Sequence, residues 1–138
     1  MSVALTLDQV RARTKTVTRR HNDTWKNLKL GDRLTLIEKG MGLKKGETQR
    51  PVTDVEIVDV RIEPLHLLCD DAYGWAEVAA EGFPDMPPAD FVAMWLEAHG
   101  DPHFVDQNAF MAYEVLRIEW RYLDDELAQS IPQPKEPR

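Results

Sequence analysis

A basic segment near the N-terminus decides how the chain is interpreted: Arg11-Ala12-Arg13-Thr14-Lys15-Thr16-Val17-Thr18-Arg19-Arg20-His21. Its threonine and valine residues favour extended structure, because branched side chains pack well on a pleated strand. Further along, Leu28-Lys29-Leu30-Gly31-Asp32-Arg33-Leu34 contains a Gly-Asp turn that leads into alternating residues 33–38. The two segments predict a basic strand, a turn and a second, half-buried strand.

Charge is divided unevenly along the chain. The 138 residues have a formal net charge of −7, yet residues 1–50 hold 12 Lys and Arg against 5 Asp and Glu, a net of +7. Residues 51–138 hold 5 basic and 19 acidic side chains, a net of −14. A basic half is compatible with an anion-binding cleft if its charges converge on one face. The alternative is that the two halves neutralise each other in the fold.

The rest of the sequence predicts an α+β domain. We expect a first strand in VALTL, then a short helix from Leu7 to about Arg13 that Thr6 and Gln9 cap. The phase of the apolar residues slips within 52–63, which predicts a bulged strand or one buried on both faces. Residues 65–80 predict short helical turns, and 113–123 alternate like a closing strand.

A further helix is predicted after Asp85, which is its expected cap. Pro87 and Pro88 suit its first turn, apolar residues recur at helical spacing from Phe91 to Ala98, and Gly100 ends it. Strands at both ends with helices between them predict a small mixed β-barrel with short flanking helices. Residues 1–124 form this domain, and 125–138 form an acidic-to-proline-rich tail expected to be disordered at its end. Residues 39–51 are expected to form a flexible hairpin loop.

Length and composition also set limits on function. One cysteine excludes an internal disulfide framework. No apolar run approaches the roughly 20 residues that span a bilayer, and no signal-peptide pattern is present, so we expect a cytoplasmic protein without a membrane partner. His66 with Cys69 and His99 with His103 have ligand-like spacing, but Gly100 and Pro102 break the second pair. We therefore predict no metal and no other cofactor; the oligomeric state stays open.

The segment Lys15-Thr16-Val17-Thr18-Arg19-Arg20, with the later Gly31-Asp32 turn, resembles the N-terminal signature of the ASCH domain, a relative of the PUA domain. Residues 52–63, the Ala80-Glu81-Gly82-Phe83 segment and residues 113–120 match the family in the same order. The resemblance covers about residues 3–123. One departure lies at Ala12-Arg13-Thr14, where the family usually has a glycine shortly before its lysine.

The resemblance implies a PUA-like barrel whose cleft recognises RNA, single-stranded nucleic acid or a modified nucleoside. A small group of similar proteins hydrolyses the acyl amide of N4-acetylcytidine with a lysine, a threonine and a glutamate. Lys15 and Thr18 match the first two by motif, and Glu81 matches the third, with Glu77 as the fallback. Amidohydrolase activity is therefore the alternative to a pure binding function.

The residues themselves leave several roles open. Lys15 is either a phosphate-contacting cation or a catalytic amine, and it lies three residues from Thr18, which places the two on opposite faces of a regular strand. The nucleic-acid or nucleoside contacts are expected from residues of the basic segment and from an aromatic platform just beyond it: Arg13, Lys15, Arg19, Arg20 and Trp25. Core filling is the alternative for Trp25.

Overall fold

The computed structural model describes residues 1–39, 45, 46, 48, 50–100 and 102–124. Four strands form one antiparallel sheet in the order β1-β4-β3-β2, curled into a half-barrel. The strands are β1 (Val17–His21), β2 (Arg33–Ile37), β3 (Pro51–Pro64) and β4 (Glu114–Tyr122). A parallel bridge joins Ser2 to Ile37 outside these strands. The small α+β fold is therefore confirmed, with the parallel pairing confined, among the described residues, to this bridge.

The long strand β3 contains the predicted irregularity. Its pairing with β4 shifts register between Ile57 and Asp59. Before the shift, Val55 and Ile57 are buried in the core of the half-barrel; after it, the buried side chain is Glu63. An extra residue in one strand exchanges the faces to which later side chains point. After the bulge, Val60 therefore continues the apolar face on the half-barrel core, while Glu63 is buried on the opposite, charged face.

Strand β4 separates two environments. Its residues Leu116, Ile118, Trp120 and Tyr122 lie in the core of the half-barrel, as their alternation predicts. Val115, on the opposite face, packs in a second core formed with the helices. The next residue on that face is Arg117, which is also buried. The side of the sheet that faces the helices is thus apolar at one end and charged further along.

The prediction of an N-terminal strand was wrong. Residues Ala4–Thr6 form a 3₁₀ turn, and helix α1 spans Leu7–Arg11. The Thr6 side chain makes no capping hydrogen bond, so the predicted capping box is absent too. Val3, Leu7 and Val10 all pack on the half-barrel core. Their spacing is helical, and burial of that stripe outweighs the alternation of the first few residues.

The helices cover the second face of the sheet. They are a 3₁₀ helix (Leu65–Cys69) followed by α2 (Asp71–Ala80), α3 (Pro88–Ala98) and α4 (Gln107–Met111). The region 65–80 is more regular than predicted, since α2 has ten residues and the Asp70 carboxylate accepts a hydrogen bond from the Tyr73 amide. Helix α3 ends before Gly100 as predicted. Its N-cap is Pro87 with no side-chain capping bond, so the prediction for Asp85 was wrong.

Two of the predicted segments cannot be assessed in full. The tail 125–138 lies outside the described residues, and so does most of the predicted loop between Lys39 and Arg50. No helix in the described part of the chain has both the length and the apolar character needed to cross a membrane. Within the same residues, no group of three or more metal-ligating side chains is placed to hold an ion.

Candidate functional site

A cavity of about 700 Å³ lies between β1, the N-terminal residues 2–6, the turn after α2, and helix α3. Lys15, Thr18 and Glu81 all line it. Strand alternation does not separate Lys15 from Thr18, because β1 begins only at Val17 and is an edge strand of the sheet. The structure therefore brings together the three residues that the sequence singled out.

Lys15 is fixed at this cavity by its backbone. Its carbonyl oxygen accepts hydrogen bonds from the Trp120 indole, at 3.2 Å, and from the Tyr122 hydroxyl. Thr16 on its other side donates its amide to Ala80 O at 2.8 Å, which joins the start of β1 to the end of α2. These contacts place Lys15 against the C-terminal turn of α2, although the two segments are about sixty-five residues apart in the sequence.

Glu81 occupies the C-cap of α2. Gly82 follows with φ of +108°, and the Phe83 amide donates to Val78 O at 3.0 Å, as in a Schellman motif. A Cβ at Gly82 would lie 2.8 Å from the Gln9 side chain, so this close turn requires glycine. The Glu-Gly pair thus ends the helix and holds the glutamate at the cavity.

Lys15 and Glu81 form a buried ion pair. Lys15 Nζ lies 3.0 Å from Glu81 Oε1 and 3.0 Å from Glu81 O, and the two side chains are 4% and 3% exposed. The pKa of Lys15 is lowered from its usual value, chiefly by burial; Glu81 opposes this effect, while Arg20 and Arg19 add to it. A lysine with a lowered pKa in a cavity is a candidate base or nucleophile.

The second oxygen of Glu81 is bound by Arg19, whose Nη1 lies 2.9 Å from Oε2. The Arg19 side chain is fully buried, and its Nη2 also lies 2.6 Å from carboxylate oxygens of both Glu63 and Glu77. Arg19 lines the cavity, and its guanidinium is bound by protein carboxylates, one of which is Glu81; its predicted contact with a ligand stays a prediction. The pKa of Arg19 is raised by these glutamates, against the effect of burial.

This network follows from the strand register. Arg19 on β1 is paired with Arg117 on β4, and Arg117 is paired with Arg61 on β3. Like charges directly opposite on adjacent strands repel, so such a row requires carboxylates. Glu77 supplies one between Arg19 and Arg117, at 2.6 and 2.5 Å, and Glu63 lies between Arg19 and Arg61. We call these three arginines the arginine row.

The fallback residue Glu77 does not line the cavity. Both of its oxygens are bound by Arg117, and one is shared with Arg19. These hydrogen bonds lower the pKa of Glu77 to about 2, against the opposing effect of burial. Glu77 is thus an ionised partner of the arginine row, and the acidic residues that line the cavity include Glu81 and Glu97.

Two predicted binding residues lie away from the cavity. Arg13 makes a two-nitrogen ion pair with Asp124, with Nη2 to Oδ2 at 2.6 Å, and its guanidinium lies 4.8 Å from the centre of the Tyr122 ring. Trp25 is in a turn with φ of 52° and is 38% exposed. Neither residue is part of the cavity lining, so their predicted contact with nucleic acid or a nucleoside stays a prediction.

The missing glycine before Lys15 has a structural counterpart. Arg13 adopts φ of 65°, a left-handed conformation that glycine takes at little cost. Its backbone amide donates to Val10 O, and its Nη1 donates to the same carbonyl at 2.9 Å. The ion pair with Asp124 and these bonds hold the strained residue, so the turn into Lys15 is made without glycine.

Sequence reasoning missed the apolar wall of the cavity. It consists of Phe83 and three residues of α3, namely Phe91, Met94 and Trp95, and it is flanked by His99 at the C-cap of that helix. The helical spacing of α3 was interpreted as a core face, and the same face also borders the cavity. His99 stacks on the Trp95 ring at 3.9 Å and donates Nδ1–H to Trp95 O. Burial lowers the pKa of His99, with smaller effects of His21 and Arg20 in the same direction.

Arg20 also lines the cavity, but it is held differently from its neighbour Arg19. Its Nη2 donates to the backbone carbonyl of Ser2 at 2.8 Å. The buried Nε of each arginine has no hydrogen-bond partner, but Arg20, unlike Arg19, forms no ion pair with a carboxylate among the described residues. Burial lowers the pKa of Arg20, and Glu81 only partly opposes this effect.

Comparisons with known proteins add little to this geometry. No family model matches the chain, and no curated protein matches it. Among solved structures, the chain is similar to protein EF3133 from Enterococcus faecalis, described as a DUF984 protein. The TM-score is 0.49 at 16% identity, over 86% of this chain and 70% of that one. The ASCH resemblance of the basic segment therefore stays a prediction.

Proposed function

We propose that this protein is a PUA-like amidohydrolase that removes the acyl group from N4-acylated cytidine nucleosides, with Lys15, Thr18 and Glu81 as its catalytic residues. The observation that carries the proposal is the buried Lys15–Glu81 pair on the wall of a cavity that Thr18 also lines. The motif resemblance supplies the reaction class. The lowered pKa of Lys15 supports a lysine that is able to lose its proton.

The shape and lining of the cavity favour a small ligand over a polymer. Its volume of about 700 Å³ lies in the range of small-molecule sites, and Phe83, Phe91 and Met94 provide an apolar surface for a base. Of the cations expected to contact nucleic acid, Arg13 and Arg19 are already paired with carboxylates. A nucleoside is therefore the partner that this site suits best.

The contacts of Lys15 Nζ are compatible with a neutral amine as well as with the ammonium of the ion pair. A neutral lysine has two N–H bonds and one lone pair. Two acceptors, Glu81 O and Glu81 Oε1, lie at 3.0 Å, which accounts for both N–H bonds. The lone pair of Lys15 Nζ is then available to accept a proton from a group other than Glu81. Arg19 takes the other oxygen of Glu81, which weakens the hold of that carboxylate on the lysine proton.

The reaction follows from these positions. Lys15 accepts a proton from a water molecule as the water oxygen attacks the acyl carbon of the amide. The Thr18 hydroxyl donates a hydrogen bond to the oxyanion that forms. The bond from the acyl carbon to N4 then breaks, and the Lys15 ammonium returns its proton to the departing nitrogen. Glu81 stabilises the ammonium between these steps, and the products are cytidine and a carboxylic acid, which then releases its proton to water.

The direct test incubates the protein with N4-acetylcytidine and follows cytidine by liquid chromatography. Lys15→Met, Thr18→Val and Glu81→Gln should each lower kcat/KM, by about 10²- to 10⁴-fold for the proton-transfer residue Lys15. Lys29→Met is the matched control, since Lys29 is 78% exposed and lies outside the cavity. No turnover by the wild type, or unchanged turnover in Lys15→Met, would refute the proposal.

The pH dependence gives a second test. Because the neutral amine is the active form, kcat/KM should rise as pH increases through the pKa of Lys15, and that pKa lies below the usual 10.5. Recognition of single-stranded RNA is the competing function from the sequence. It predicts binding that weakens steeply with salt, and this can be measured with a labelled RNA and the same protein.

A further inference from the structure

We propose that Arg20 is the binding residue for an oxyanion of the ligand, so that the cavity takes a cytidine derivative bearing a carboxylate or a phosphate rather than a neutral nucleoside. This inference rests on the proposed function in two respects, namely that the cavity is the ligand site and that the ligand contains cytidine. The comparison of two adjacent arginines in the same strand carries it.

Arg19 and Arg20 are consecutive residues of β1, and both are largely removed from solvent. The Arg19 guanidinium is bound by three glutamates: Glu63, Glu77 and Glu81. Arg20 has one backbone carbonyl, that of Ser2, as its hydrogen-bond partner among the described residues. Among the described residues, the fold therefore supplies three ion-pairing carboxylates to Arg19 and none to Arg20.

The negative charge of Glu81 acts on Arg20, but it does not fully compensate the positive charge of the Arg20 guanidinium. Its Oε1 is bound by Lys15 and its Oε2 by Arg19, and it forms no ion pair with Arg20. An unpaired buried charge is costly, and a purely structural arginine would normally be paired as Arg19 is. Since Arg20 lines the cavity, a ligand in that cavity is the available source of the missing negative charge.

The guanidinium group selects the chemistry of this ligand. Its planar fork of N–H donors matches the two oxygens of a carboxylate or phosphate better than the single oxygen of a carbonyl. A carboxylate would be carried on the acyl chain, and a phosphate on the sugar. Both present the same oxyanion to Arg20, and separate ligands distinguish them.

The test measures binding by calorimetry with three probes: cytidine, cytidine 5′-monophosphate and N4-succinylcytidine. At least one anionic probe should bind wild-type protein about 10- to 100-fold more tightly than cytidine, the ratio expected for charge-assisted hydrogen bonds. Arg20→Gln should abolish that preference and change cytidine binding by less than about 3-fold. The probe that gains affinity identifies the source of the oxyanion.

Arg11→Gln is the matched control, because Arg11 belongs to the same basic segment but is exposed, pairs with Glu38 and lies outside the cavity. It should retain the full preference. An equal affinity of wild-type protein for all three probes overturns the inference without any variant, and so does a preference that survives in Arg20→Gln. Anion binding that depends on Arg20, with no hydrolysis of either N4-acetylcytidine or the anionic N4-succinylcytidine, would instead refute the proposed function and leave this inference intact.

Discussion

Replacing Glu77 by glutamine should make the stability of the protein much less sensitive to acid. Glu77 is bound by Arg19 and Arg117 in the arginine row, and its side chain is only 10% exposed. Glutamine keeps the shape of the side chain but removes its charge. The variant therefore leaves two buried guanidinium groups with one carboxylate fewer between them.

The pKa of Glu77 gives the magnitude. It is about 2 in the folded protein against an ordinary value of 4.5, and each unit corresponds to 1.36 kcal/mol. The difference stabilises the folded state by about 3 kcal/mol at neutral pH. Because the folded-state pKa is the lower one, this stabilisation is complete above about pH 5.5. It is lost as the pH falls from there towards 2.

The assay is urea-induced unfolding of wild type and Glu77→Gln at a series of pH values from 2.5 to 7. The wild type should be more stable by about 3 kcal/mol at pH 7, and the gap should shrink steadily below pH 5. Glu114→Gln serves as the control, since Glu114 is exposed on β4, and it should stay within about 0.5 kcal/mol of wild type. A gap that stays constant across this range would show that Glu77 is not stabilised by the arginines.

Three other substitutions have defined outcomes. Gly82→Ala places a Cβ 2.8 Å from the Gln9 side chain at a residue with φ of +108°. The variant should be about 1–3 kcal/mol less stable in thermal melts, and its turnover of N4-acetylcytidine should be lower in kinetic assays. Gly74→Ala places a Cβ 2.2 Å from the Leu68 carbonyl oxygen and should be more destabilising than Gly82→Ala in the same melts. Trp25→Ala should leave the dissociation constant for N4-acetylcytidine unchanged within about 2-fold, because Trp25 is outside the cavity; a larger loss would return it to the binding site.

The spacing of apolar residues predicted strands β3 and β4 correctly. It failed for the N-terminal segment, where contacts with distant strands determine the secondary structure. The alternation of β4 and the phase slip in β3 are direct consequences of side chains facing a core, so they are visible in sequence. The N-terminal segment has both an alternating start and the helical spacing of Val3, Leu7 and Val10. Only the presence of a core beneath that stripe decides between them, and that core is formed by distant strands.

Only part of the candidate site could be predicted from the sequence, again because some of its contacts depend on distant strands. Lys15 and Thr18 were recognised by motif, and Glu81 by its position beside a helix end. The true partners of Arg19 depend on the register that places it opposite Arg117, and on the bulge that turns Glu63 inward. A single sequence carries no signal for either. Arg19 was therefore predicted only as a ligand contact, and its hydrogen bond to Glu81 was not foreseen.

In the folded protein, several cations of the basic N-terminal half form ion pairs with carboxylates of the acidic half, whereas Arg20 forms none with the described residues. Arg13 and Arg19 come from the basic half and pair with Asp124 and with glutamates of the acidic half. These pairs remove the cations that would form a continuous track for a polymer backbone. Arg20 is the exception at the cavity, since it receives no carboxylate from the described residues. A single unpaired guanidinium beside an apolar wall suits one small anionic ligand, whereas a nucleic-acid strand needs several cations in a row.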